Sequence, residues 1–520
     1  MSTGWQRTEI AGLPAFVGNA PGPVTAGFVF RVGQADETLA TRGLTHLVEH
    51  LALGHVTPLD FVSGAVDLWT TRAFVEREKD ADVVRRLEEF AEGFARPPVD
   101  RLDAERRILG VEGSDDLPYM GSMMLRRFFG ARGPGLPFYD EHGLVDCPPA
   151  AVRDHAAWWF TAANAALVCT RKVEGLGALP LPPGEPRRVP PATALPLSLP
   201  CELEDGIHMA VGGIVESPAA RVLHALLWRS AHRTVRQEHG LAYSVKSTIY
   251  LVGPQRGLHF LNTNATGAGA VKAARLVVED IRRLAAGDLS ADEVDVAKAD
   301  VARLHAWSPT VGPRAAAVRE LGWGRPDVPY DTEAVSAAVT IDQVVEAAAQ
   351  LRDGMLVVVP AETTTGLLPP YEVKADAPVA GSRHLRVGVA REGFRALVVG
   401  RDGVTAEHFD GGADTVHFAT CAAALRQTDG ALALVGEDGV TVRVDEHDFV
   451  QGREALVAVE GALDPQLFVP TEGSTRAQDA DERERRRQQP TPPAGASSSS
   501  STSTATSPTT FTGTGWARDP

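Results

Sequence analysis

Between positions 46 and 50 the chain reads His46-Leu47-Val48-Glu49-His50. On a helix, positions i and i+4 lie one above the other, with i+3 beside them. Two imidazoles and a carboxylate therefore meet at one point, the donor set of two zinc ligands and a general base. The order H-x-x-E-H is the reverse of the commoner H-E-x-x-H string of zinc hydrolases. The same three side chains would also serve as a solvated polar face, so the reading turns on a third ligand. A hydrolytic zinc site takes three protein ligands and leaves the fourth position to water. Glu105 and Glu112 are the best candidates, because a spacing of seven residues is two helical turns along one face.

These residues need elements to hold them. A strand-like apolar stretch at 24–32 leads into the motif helix at 44–53, and helical patterns follow at 80–94 and 99–111. Residues 139–159 are mixed, and 165–170 read as a buried strand. The segment 201–375 has a comparable order: strand 207–215, helix 219–237, strands 243–251 and 257–263, helices 269–286 and 291–307, strand 355–359. Two α/β halves of similar size and order point to an internal duplication. Eight prolines from Pro180 to Pro200 exclude regular helix or central strand, so 181–200 reads as an extended linker. Residues 383–466 carry short strands around Asp402-Gly403 and Asp438-Gly439, and Asp-Gly pairs between strands are hairpin signals. The expected organisation is α+β: halves at 1–180 and 201–375, a small β-rich module at 383–466, and a disordered Ser/Thr/Pro-rich tail at 471–520.

A formal charge of −16 argues against nucleic acid as a partner, since phosphate binding relies on clustered Lys and Arg. No apolar run approaches the ~20 residues of a membrane-spanning helix. The N-terminal stretch lacks the apolar core of a signal peptide. Cys147, Cys169, Cys201 and Cys421 have neither disulfide-framework nor thiolate metal-site spacing. A soluble, cytoplasmic protein is the expectation.

Taken with the His46–His50 string, Glu105-Arg106-Arg107-Ile108-Leu109-Gly110-Val111-Glu112 resembles the M16 peptidases, the insulinase and mitochondrial processing peptidase family with its inverzincin motif. In that family the string precedes a helix carrying E-x6-E. The resemblance implies that His46, His50 and Glu112 bind zinc, that Glu49 is the catalytic base and that Glu105 stands behind the ligands. In the second half, Arg236-Gln237-Glu238-His239-Gly240-Leu241-Ala242-Tyr243 resembles the family's R-x6-Y segment. Alone, Arg236 is a helix-end cation and Tyr243 a core-edge aromatic. The resemblance makes them catalytic residues that reach across to the substrate backbone and the tetrahedral intermediate. Asp67 falls where the family has a cleft-lining asparagine, implying a substrate-binding preference for basic residues or the loss of that role. Gly110 weakens the helix of the third ligand by ~1 kcal/mol relative to alanine.

The resemblance covers roughly residues 10–375. It implies a clamshell of two duplicated halves around a chamber, acting as a zinc-dependent metalloendopeptidase on short or unstructured peptides. The alternative is a catalytically weak or inactive peptide-binding or scaffold subunit. A homodimer, or a heterodimer with a related M16 subunit, would complete the chamber.

Overall fold

In residues 24–30 every side chain but Thr25 is buried, and in 165–169 all are. Strands of that kind are covered on both faces, and this requirement shapes the architecture. The computed structural model describes residues 5–54, 61–112, 119–204, 208–307, 310–324, 333–371, 378–388, 394–409 and 411–471. The chain forms two units, one over Met1–Lys374 and one over Ala375–Gly513.

The first unit opens with β1 (Gln6–Ile10), β2 (Leu13–Val17), β3 (Val24–Phe30) and α1 (Leu44–Leu53). There follow β4 (Val62–Val66), β5 (Thr71–Arg77), α2 (Asp80–Ala95), α3 (Leu102–Glu112), α4 (Tyr119–Phe129), α5 (Pro149–Trp159) and β6 (Ala165–Cys169). Its six strands are ordered β1-β2-β6-β3-β5-β4. After residue 200 come β7 (Cys201–Glu204), β8 (Met209–Glu216), α6 (Ala220–Ala231), β9 (Val245–Leu251) and β10 (Arg256–Thr263). Then follow α7 (Gly267–Ala285), α8 (Ala291–Trp307), α9 (Val311–Trp323), α10 (Glu333–Ala338), α11 (Ile341–Asp353) and β11 (Met355–Val359). This second sheet is ordered β7-β11-β8-β10-β9. The two sheets pair alike. Each has one parallel pair (β2 with β6, β7 with β11), then three antiparallel steps through β3-β5-β4 or β8-β10-β9.

Side chains alternate across each strand, so each sheet presents two apolar faces. Phe28, Phe30, Leu167 and Ala73 pack with α1 and α2. On the other face, Phe16, Val29, Phe74 and Val168 meet Ala316, Ala317 and Leu321 of α9, a helix from the second half. The reverse exchange also occurs: Met123, Phe128 and Phe129 of α4 pack with Phe260, Leu356 and Val358 of the second sheet. Each half thus lends a helix to the other's sheet. Trp69 adds a cross-contact, its Nε1 donating to the Leu251 carbonyl at 2.7 Å.

The proline-rich segment is extended, and it is tied down along its length. Ala162 N donates to Pro182 O at 2.8 Å, Val189 N to Gly322 O at 2.8 Å, and Leu195 N to Phe128 O at 2.7 Å. It is a strap across both halves rather than a free spacer.

The expected helix over 219–237 is corrected: α6 stops at Ala231, and a π-helix takes His232–Glu238. The Thr234 hydroxyl donates to Ser230 O at 2.9 Å, competing for a helical acceptor, and His239 N bonds Thr234 O five residues back. Short π segments of this kind concentrate at functional sites.

The second unit holds β12 (Gly381–Leu385), β13 (Phe394–Gly400), β14 (Gly403–His408) and β15 (Ala413–His417) in one four-stranded sheet. A second sheet has β16 (Cys421–Arg426), β17 (Leu432–Gly436), β18 (Thr441–Val444) and β19 (Phe468–Pro470), preceded by α12 (Gly452–Ala462). The Asp402-Gly403 and Asp438-Gly439 pairs lie where β13 meets β14 and β17 meets β18. The sequence reading missed α12, whose Ala455 and Val459 stand four apart on the buried face. No helix among the described residues is long and apolar enough to cross a membrane. The tail expected at 471–520 lies outside the described residues beyond Thr471.

Candidate metal centre

The N-cap of the motif helix α1 is Gly43, which has φ +98° and no side chain to pair with the first amides. Glu37 does that work from outside the helix. Its carboxylate accepts from Gly43 N at 3.0 Å, Thr45 N at 2.8 Å and Arg42 Nη1 at 3.1 Å, all buried. Removing it strands the two buried amides and takes a carboxylate partner from Arg42. Glu37→Ala is expected to cost about 3–5 kcal/mol, the scale for breaking a buried pair, read from urea denaturation of the two chains.

Helical spacing then sets His46 and His50 with ring centroids 4.8 Å apart and planes at 89°. One donor atom each from His46, Glu49 and His50 falls within 4.8 Å of the other two, the only such three-residue grouping among the described residues. From α3, Glu112 Oε2 lies 3.1 Å from His50 Nε2, and Glu49 Oε2 lies 3.8 Å from the same nitrogen. The opposite ring nitrogen, His50 Nδ1, faces Glu105 Oε2 at 3.5 Å. Arg101 Nη2 grips the other Glu105 oxygen at 2.7 Å. Glu49 is buried under the edge strand β4, where a Cβ at Gly64 would overlap its carboxylate. Gly54, whose Cβ would lie 2.8 Å from Glu105 Oε1, clears room for the second acid.

The donor types suit a zinc ion, and so does the spacing of one ligand pair. Ligands about 2.0–2.1 Å from a tetrahedral ion stand roughly 3.3 Å apart, close to the 3.1 Å between His50 Nε2 and Glu112 Oε2. The charge pattern agrees. Burial opposes an imidazolium at His46, yet the hydrogen bond and charge of Glu141, with Glu49 and Glu112, push its pKa up to about 9. Burial likewise opposes charge on His50, but Glu112 and Glu49 raise its pKa too. Burial raises the Glu49 carboxyl against the pull of both histidines. The hydrogen bond from His50 holds Glu112 below the usual carboxylate range. Such a pocket attracts positive charge.

Other named residues lie elsewhere in the unit. Arg236, on the π-helix, has its guanidinium carbon 4.9 Å from the Tyr243 ring centroid and Nη1 3.2 Å from His232 Nε2. Tyr243 is 77% exposed, so it is not a core-edge aromatic. Asp67 sits in the turn between β4 and β5, its Oδ2 2.6 Å from Arg72 Nη1. The negative charge expected to select basic residues is thus shared with an internal arginine. The sequence reading missed Glu141, whose Oε1 meets His46 Nδ1 at 3.2 Å. It also missed Gly64. Neither belongs to a periodic pattern with the motif, so only the tertiary fold brings them to it.

The peptidase M16 inactive domain model matches residues 207–301. No curated protein matches the chain. Among solved structures, a protease from Helicobacter pylori superposes with TM-score 0.55 at 13% identity, covering 69% of this chain and 100% of that one. The peptidase M16 inactive domain from Pseudomonas fluorescens gives TM-score 0.55 at 16% identity, covering 69% and 99%. A chain of complex III2 from Candida albicans gives 0.54 at 14% identity, covering 68% and 95%. The fold is that of M16-like peptidases.

Proposed function

We propose that the protein is a zinc-dependent endopeptidase of the M16 type, acting on short or unstructured peptides. The observation that carries this is the convergence of His46, Glu49 and His50, with Glu112 against His50 and each histidine backed at Nδ1 by a further carboxylate. His46, His50 and Glu112 would hold the ion, which when bound supplies Lewis acidity toward a water and a scissile carbonyl. Glu49 takes the proton from the attacking water and delivers it to the leaving amine. Its burial, which raises its pKa, suits it to both transfers. Arg236 and Tyr243 bind the peptide backbone and the tetrahedral intermediate from the second half. The β4 edge above Glu49 offers backbone groups to an extended peptide. In this reading the halves are duplicated and close as a clamshell. A second copy or a related subunit completes the chamber, and the protein works in the cytoplasm.

A second reading, a peptide-binding or scaffold subunit without turnover, draws on the "inactive domain" match and on the likeness to a chain of complex III2. That match covers 207–301 alone, the half without the His46–His50 string. The two readings separate in one experiment: metal content, then cleavage of a quenched peptide library before chelation, after it, and after zinc return. One zinc per chain with cleavage that follows the metal is the expected result. Stoichiometric zinc with no cleavage of any peptide would establish the scaffold reading.

A further inference from the structure

We propose that Glu141, held by Arg42, is the positioning residue that fixes His46 as an Nε2 ligand. This rests on the reading of His46 as a zinc ligand. Glu141 lies 95 positions beyond His46, and neither the H-x-x-E-H string nor the paired glutamates of α3 nominates it. Its Oε1 stands 3.2 Å from His46 Nδ1 and 3.6 Å from Arg42 Nη1. Arg42 is itself fixed, donating to Glu37 at 3.1 Å and through Nε to Leu136 O at 3.3 Å.

The backbone is built for this approach. Gly143 N donates to Arg42 O at 2.9 Å, docking the turn after Glu141 on the start of α1. A Cβ on Gly143 would lie 2.6 Å from the Thr41 carbonyl carbon, and one on Gly43 2.7 Å from Glu141 Cβ. Two glycines therefore bring the carboxylate to the ring. An imidazole whose Nδ1–H is donated to a carboxylate keeps its lone pair on Nε2 and gains basicity there. Glu105 makes the matching approach to His50 Nδ1 at 3.5 Å. The two ligands are thus oriented by acids from separate elements, α3 for one and the 139–144 segment for the other.

The test uses the full chain, with zinc affinity measured by chelator competition for wild type, Glu141→Ala and Glu141→Gln. Loss of such an outer carboxylate is expected to weaken zinc about 10–100-fold in Glu141→Ala. Glu141→Gln, which keeps an acceptor oxygen without the charge, should fall between. By nitrogen-15 NMR of the zinc-loaded protein, the hydrogen-bonded Nδ1–H of His46 should persist in Glu141→Gln and vanish in Glu141→Ala. A purely structural role would lower the melting temperature of the metal-free variants yet leave zinc affinity and the tautomer of the folded protein unchanged. Wild-type affinity in Glu141→Ala overturns the proposal. Should that variant not fold, Glu141→Gln decides: at least threefold weakening supports the role and equality overturns it. A wild-type chain that takes up no zinc overturns the zinc reading itself, a failure distinct from unchanged affinity in the variants.

Discussion

Replacing Glu49 by glutamine is expected to lower peptide hydrolysis by about 10²–10⁴-fold, the usual contribution of a positioned general base, with zinc uptake near the wild-type level. Glutamine keeps the shape and one acceptor oxygen but cannot take a proton at neutral pH. Glu49 is buried, its carboxylate 3.8 Å from His50 Nε2 and close beneath Gly64, so little else nearby can substitute. Gly64→Ala approaches the same atom from the other side. Its Cβ would overlap the carboxylate and crowd Leu53 Cδ1 at 2.5 Å, so either the base or the edge strand must shift. Misplacement by about 1 Å is enough to cost on the order of 10²-fold. Steady-state cleavage with parallel metal analysis checks both variants. Equal rates for wild type and Glu49→Gln would remove Glu49 as the base, and full activity in Gly64→Ala would show that β4 yields without disturbing it.

What the sequence made legible was local. The motif helix could be read at about 44–53 because apolar Leu44, Leu47, Val48 and Leu51 share the buried face while His46 and His50 lie beside it. Glu105 and Glu112 were legible because two helical turns is a fixed spacing. Helix α9 and the hairpin of β4 and β5 were not, although α9 covers the first sheet. Its Ala316, Ala317 and Leu321 are small or isolated apolar residues whose partners lie more than 140 positions away. Glu141 is illegible for the same reason. Its partner is chosen by the docking of one turn on the start of α1, and no periodicity in the chain encodes that contact. The ion pair of Asp67 is illegible because Arg72, five residues on, faces it only once the β4–β5 turn has closed.

Metal-free protein should lose about 4 kcal/mol of stability between pH 7 and pH 5 from two buried histidines that are not proposed ligands. Burial depresses the pKa of His155 from 6.5 to about 4 and, aided by Arg221, that of His224 to about 3. Burial also pushes His259, which rests against His224 with ring centroids 5.5 Å apart, well below its ordinary value. A histidine kept neutral in the fold but free to protonate when unfolded binds more protons in the unfolded state. Stability then falls as pH drops below the unfolded pKa, and continues to fall until the folded pKa is reached. At pH 5 each of His155 and His224 sits about 1.5 units below its unfolded value, or about 2 kcal/mol apiece at 1.36 kcal/mol per unit. His46 acts in another window. Its folded pKa, raised to about 9 without metal, gives stability that is complete below 6.5 and lost as pH rises through 9. Denaturant midpoints in chelator at pH 9, 7 and 5 separate the two groups. The acid limb should flatten by about a third in His155→Gln, which can still meet Thr45 Oγ1, the 3.0 Å partner of His155 Nε2. A midpoint that does not move between pH 7 and 5 would mean that water reaches these rings and lets them charge within the fold.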